Sequence, residues 1–399
     1  MTSNKEPSFA HHLPTADCRL PTAHCPLPTA HWLWPFLLSR LWVGCFVYLG
    51  HMQRPFLAPV PDGWEGVPHW WLNPWTTYDS RIFLRIAAHG YDPTLTGTFP
   101  FYPLLLRLAG PNQVAMACWG VVLSNAAFAL ALCLFYRLTK RDYNERVARL
   151  ATWLLAFFPT AAVFSAVYGE SVFLLLVVAT FLCVREGRWA WAGWWALLAA
   201  LTRNSGPVLF VALGLEWLHN SRSAGRRAPL WTLIPVVLPL LGFVAVQGYY
   251  AVTFHGLLAG VSSHQIYGRQ PGWPWLPIGK DIINLVTLRG FDVVTLLNVA
   301  ATLAAFWLVW RHWKEQPRSY SLFIIGIMMM HLTYGRVAPP HTNGSVRFLS
   351  TTFPFVQLLG VHAATLLNNR FRLTVIALAY GFIGATISFL FGFKWFVHG

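Results

Sequence analysis

The densest run of chemically useful side chains is Tyr78-Asp79-Ser80-Arg81-Ile82-Phe83-Leu84-Arg85-Ile86-Ala87-Ala88-His89-Gly90-Tyr91. Arg81, Arg85 and His89 recur at i, i+4 and i+8, so a helix would carry them on one face. Ile82, Phe83, Ile86 and Ala87 fill another face, and Gly90 supplies a stop. The pattern predicts an amphipathic helix lying at a membrane surface. Asp79 stands at its start, where a carboxylate either caps free backbone N–H groups or acts as a general base; position alone leaves both open.

Further candidates follow along the chain. Phe99-Pro100-Phe101-Tyr102-Pro103 carries prolines and aromatics that can line a groove for a lipid chain or anchor a bundle in the headgroup layer. Phe164-Ser165-Ala166-Val167-Tyr168-Gly169-Glu170-Ser171 places a carboxylate at a turn between two apolar runs, where it needs a cavity or a partner. Arg203 in Leu201-Thr202-Arg203-Asn204-Ser205-Gly206 and Arg347 in Ser345-Val346-Arg347-Phe348 are isolated arginines beside apolar runs. They can snorkel to headgroups, or their guanidinium forks can hold a phosphate. His264 and Arg269 add a second cationic pair. A carboxylate beside several cations at a lipid boundary suits a reaction on a phosphate-linked lipid.

The elements that must position these residues are membrane helices. The chain has 399 residues, of which 56% are hydrophobic and only 11% charged, with a mean hydropathy of +0.48. Soluble domains carry about 25% charged residues, so a soluble globular enzyme is excluded. About eleven apolar runs are long enough to be spans, at roughly 32–50, 113–136, 148–166, 169–184, 189–202, 205–218, 230–252, 290–310, 319–335, 348–366 and 373–393. The net charge of +15 sits in short loops between these runs, a topology signal rather than a nucleic-acid footprint. Taking the loop with Arg137, Lys140, Arg141, Arg146 and Arg149 as cytoplasmic puts the N-terminus inside. The long segments 51–112, 253–289 and 336–346 then lie outside, and Asp79, His89, Glu170, Arg203, His264, Arg269 and Arg347 all map to that face.

Residues 1–31 repeat Leu-Pro-Thr-Ala with a proline in every unit. That forbids a helix and reads as a disordered tail or a misassigned start; residues 32–399 read as one membrane domain. No Walker, Rossmann or HExxH pattern occurs, which argues against nucleotide-driven transport and zincin proteolysis. The six cysteines show no CxxC spacing, and neither a metal site nor a cofactor is expected.

These segments resemble the PIG-V family of GPI mannosyltransferase II-like glycosyltransferases and their bacterial relatives. The likeness rests on Tyr78-Asp79 through Phe83, Leu84, Ile86, Ala87, Gly90 and Tyr91, on Thr98 to Leu104, on Phe164 to Ser171 and on Leu201 to Gly206. The regions around His264 to Arg269 and at Arg347 match more loosely. Tyr78 and Thr98 replace the usual Trp and Phe. The resemblance implies an all-α polytopic GT-C bundle with an amphipathic outer-loop helix. It also implies transfer of a sugar, mannose by default, from a polyprenyl-phosphate donor to a lipid or glycan acceptor on the extracytoplasmic face of, by expectation, a bacterial inner membrane. Asp79 would be the catalytic base. Arg81, His89, Tyr102, Glu170, Arg203, His264, Arg269 and Arg347 would bind substrate. The competing expectations are a lipid or sugar-lipid transporter, which would show charge deep in the spans or an inverted repeat, and a non-catalytic subunit of a glycosyltransferase complex.

Overall fold

The computed structural model describes residues 30–54, 66–223, 229–254, 259–266, 268–288, 292–366 and 370–394. The expected tail lies outside the described residues except at its last two positions. Along the chain run α1 (Ala30–Gln53), α2 (Asp79–His89), α3 (Phe101–Arg107), α4 (Gln113–Asp142), α5 (Glu145–Ala156), α6 (Glu170–Arg185), α7 (Trp189–Thr202), α8 (Val208–Ser223), α9 (Ile234–Thr253) and α10 (Ala259–Ile266). Then come β1 (Arg269–Pro271), α11 (Trp275–Val286), α12 (Val293–Arg311), α13 (Arg318–Thr333), β2 (Tyr334–Arg336), α14 (Ser345–Ser350), α15 (Phe353–Leu366) and α16 (Arg370–Phe393).

The protein is an all-α, multi-pass membrane protein. Every apolar run singled out in the sequence is helical over most of its length. Among the described residues five helices are long and apolar enough to cross a membrane: His31–Gln53, Gln113–Asp142, Trp231–Thr253, Val293–Arg311 and Thr374–Phe393. The other runs form shorter helices. The expected span 148–166 is not continuous: α5 ends at Ala156 and a 3₁₀ turn follows at Ala161–Phe164. Pro159 disfavours helical geometry in the residue before it. Arg40 of α1 takes up the broken end, donating from Nη1 to the Ala161 carbonyl at 3.1 Å and Ser165 Oγ at 2.8 Å, and from Nη2 to the Ala156 carbonyl at 3.2 Å.

α6 is the central helix, buried along nearly its whole length and packed on α4 and α7. α1 and α16 pack along each other at backbone distance. A Cβ on Gly392 would fall 1.8 Å from the Val47 carbonyl oxygen, and one on Gly50 2.0 Å from that of Phe389. Small residues permit such close helix approach in lipid. Gly392→Leu is therefore expected to force α16 off α1 and cost about 1–3 kcal/mol or more, read as a lower thermal midpoint in detergent.

Candidate functional site

Two carboxylates mark the site, and each occupies the first residue of a helix. Asp79 opens α2 and Glu170 opens α6, positions where the helix dipole favours negative charge. Tyr78, just before Asp79, has φ +54°, a strained value for a residue with a Cβ. Its ring is buried and packs on Phe391 at 5.8 Å. Tyr78 is the N-cap residue and makes no side-chain cap. The Asp79 carboxylate is engaged by an arginine, as described next.

Arg347 joins the two acids. Its Nη2 lies 2.7 Å from Asp79 Oδ2, and its Nε donates to Glu170 Oε1 at 2.6 Å. Arg203 pairs with the same Glu170 oxygen. Glu170 is wholly buried and Arg347 nearly so, whereas the Asp79 side chain is 39% exposed. The chain Arg203–Glu170–Arg347–Asp79 thus runs from the interior to an accessible carboxylate. Aromatic faces complete the setting: the Arg347 guanidinium lies 4.7 Å from the Tyr168 ring centroid, and that of Arg203 5.0 Å from Phe348. A buried charge needs such partners, because desolvation would otherwise outweigh any attraction.

The motif Leu201 to Gly206 acquires a physical meaning here. α7 stops at Thr202 and Arg203 turns extended, with φ −146° and ψ 150°. The chain then doubles back, so a Cβ on Gly206 would lie 2.2 Å from Ala200 Cα. Only glycine permits that turn, and the turn aims Arg203 at Glu170.

Residues of the segment 253–289 pack on those of the segment 51–112. Ser263 Oγ donates to the Thr94 carbonyl at 2.7 Å and accepts from Gly97 N at 3.1 Å. His264 packs on Tyr334 with ring centroids 4.9 Å apart. β1 and β2 form an antiparallel ribbon in which Arg269 stands opposite Arg336. Arg269 donates to the carbonyls of Tyr334 at 3.1 Å and Asn343 at 3.3 Å. Burial pushes Arg269 down to about 10; Asp79 acts upward, and Arg336 and Arg347 downward. Burial, then Arg269, pushes His264 down to about 4. The unfolded chain therefore binds more protons between about pH 4 and 6.5. The stability that comes from burying neutral His264 is full above 6.5 and is lost as pH falls through that window. His264→Gln is expected to flatten this acid limb in a plot of unfolding midpoint against pH.

Of the residues expected from the sequence, Asp79, Glu170, Arg203 and Arg347 meet directly, and Arg269 feels Asp79 electrostatically. Tyr102 is fully buried, bonded to Ser124 Oγ at 2.9 Å and edge-on to Phe83, so it packs the floor beneath α2. Arg81 and His89 lie on the outward part of α2, which ends at Gly90 as expected, and the described contacts do not bring them into the carboxylate network. Two residues escaped the sequence reading. Arg336 gave no signal, because its ribbon partner is far along the chain. Asp281 gave one: it is the single carboxylate, beside Lys280, in the mostly apolar run Trp275–Val286.

The site can hold an anion and move a proton. Asp79 and Glu170 balance Arg203 and Arg347, and Arg269 and Arg336 add positive charge beside them. No protein-family model and no curated protein matches the chain. Among solved structures it is similar to the Archaeoglobus fulgidus oligosaccharyltransferase complex with Zn and sulfate, at 13% identity over 92% of this chain and 53% of that one, with a TM-score of 0.45. It is also similar to ArnT from Cupriavidus metallidurans bound to undecaprenyl phosphate, at 13% identity over 86% of this chain and 61% of that one, with a TM-score of 0.48. The chain thus spans between 53% and 61% of the length of these two proteins.

Proposed function

We propose that this chain is a membrane glycosyltransferase of the PIG-V kind, with a GT-C-like bundle, that moves a sugar from a polyprenyl-phosphate donor to an acceptor hydroxyl on the extracytoplasmic face. The observation that carries the reading is the half-exposed Asp79 carboxylate, fixed through Arg347 to the buried Glu170. Asp79 accepts the proton of the acceptor hydroxyl while that oxygen attacks the sugar C1. The C1–phosphate bond breaks on the opposite face, so the configuration inverts, and the lipid phosphate leaves as an anion.

The charge balance refines the roles of the arginines. Arg347 is shared between two carboxylates and Arg203 is held by one, so their main work is to orient Asp79 and Glu170. Arg269 keeps its charge at neutral pH and is coupled electrostatically to Asp79, which makes it the arginine to stabilise the leaving phosphate. His264 stays neutral there and offers a ring nitrogen to the sugar. The PIG-V motifs make mannose the first donor to test and a glycolipid or glycan hydroxyl the acceptor.

A transporter would draw on charges deep in the bundle. Among the described residues, Arg40 lies within a span-length helix and serves the Ala156 and Ala161 carbonyls. Arg185, at the end of α6, lies between Asp142 and Glu216, at 3.2 and 2.8 Å. Both are accounted for as packing, which favours the transferase reading.

The experiment supplies radiolabelled polyprenyl-phosphate mannose to membranes containing the chain and follows label into a new product. Transfer is expected. If no donor in a series of polyprenyl-phosphate sugars gives a product, even with candidate partner proteins added, the transferase reading fails.

A further inference from the structure

We propose that α11 is seated in the outer-leaflet lipid surface and that its buried Asp281 clips the loop before α14, so that the bilayer itself holds the arginines of the site in register. Trp275, Leu276, Ile282, Ile283 and Val286 recur at helical spacing, and all are exposed. Trp273 stacks on Trp275 at 4.9 Å, giving the exposed aromatic pair expected at a membrane interface. α11 packs on α12, which also shows exposed Val293, Leu296 and Trp307 along a helix long and apolar enough to cross the membrane. Packing beside a span-length helix with its own exposed apolar residues selects lipid as the occupant rather than a protein partner.

The opposite side of α11 faces the site. Asp281 is fully buried, and its carboxylate accepts from His341 N at 3.0 Å, from Thr342 N at 2.7 Å and from Thr342 Oγ1 at 2.7 Å. Pro277 abuts the ribbon so closely that a Cβ on Gly335 would fall 2.4 Å from its Cγ. The clipped loop does two things. It presents the Asn343 carbonyl to Arg269, and it leads directly into α14, which carries Arg347. Asp281 is therefore a positioning residue. It touches no reacting atom, but it joins a lipid-seated helix to Arg347, which pairs with Asp79, and to Arg269. Hydrogen bonds to a buried carboxylate are among the stronger ones.

The test uses the full chain in phosphatidylcholine nanodiscs and has three readouts. A nitroxide on Ile283→Cys, in a background with the native cysteines replaced, should be accessible to oxygen and shielded from a water-soluble nickel chelate. Access to the nickel chelate, or shielding from both reagents, overturns the lipid seat. Trypsin cleavage after Arg336 should be about tenfold to a hundredfold faster in Asp281→Ala than in wild type, with Asp281→Asn and Thr342→Val in between. Equal rates overturn the clip, and the two milder variants decide the matter if Asp281→Ala does not fold. In the transfer assay the Asp281 variants should lose kcat with little change in donor KM. An opened clip with unchanged kcat overturns the coupling. Failure of wild type to transfer any sugar sinks the proposed function alone, because the first two readouts do not depend on it.

Discussion

Asp79→Asn is expected to reduce sugar transfer by about a hundredfold to ten-thousandfold, the range that a general base contributes. The asparagine keeps the size of the side chain and can still accept a hydrogen bond from Arg347, but it cannot accept the acceptor's proton. Because the Asp79 side chain is 39% exposed, its pair with Arg347 contributes about 1 kcal/mol or less to stability. The variant should thus fold like wild type, and matched protein levels make the comparison clean. The measurement is label transfer from the polyprenyl-phosphate donor at saturating acceptor. Full activity in Asp79→Asn would remove this residue from the mechanism. A loss confined to donor KM would move it from base to substrate contact.

Glu170→Ala should have the largest effect on stability. Its carboxylate is wholly buried, and Arg203 and Arg347 both converge on Oε1. Removing it leaves two guanidiniums facing each other inside the bundle. Breaking a buried ion pair from one side costs about 3–5 kcal/mol. Chemical or thermal unfolding in detergent would show this, and transfer should vanish with it because Arg347 no longer has its inner anchor. Glu170→Leu combined with Arg203→Met should recover much of the stability, since both charges leave together. Transfer should stay low in that double variant. If the single and double variants were equally unstable, the Arg203–Glu170 pair would be incidental to the fold.

The membrane class was legible from composition and run length alone, because lipid offers the backbone no partners and helices are the simplest way to satisfy it. The helix Asp79–His89 was legible from its i, i+4 spacing and its terminal Gly90. Asp79, Glu170, Arg203 and Arg347 were legible as charges that a hydrophobic chain does not carry without a reason. The break in the run 148–166 was only half visible: Pro159 marked it, but the Arg40 side chain that satisfies the freed carbonyls comes from a helix more than a hundred residues earlier.

What tertiary structure decided was who meets whom. The sequence could not show that the guanidinium of Arg347, 268 positions later, reaches the Asp79 carboxylate. Nor could it tell that Arg203 and Arg347 share one buried oxygen of Glu170. Arg336 became relevant only through ribbon pairing with Arg269, and Asp281 only through the loop it clips. Local periodicity is written in neighbouring residues, and a helix or an interfacial face can be read from it. Charge pairing across a bundle depends on packing between distant segments, and no spacing along the chain encodes it.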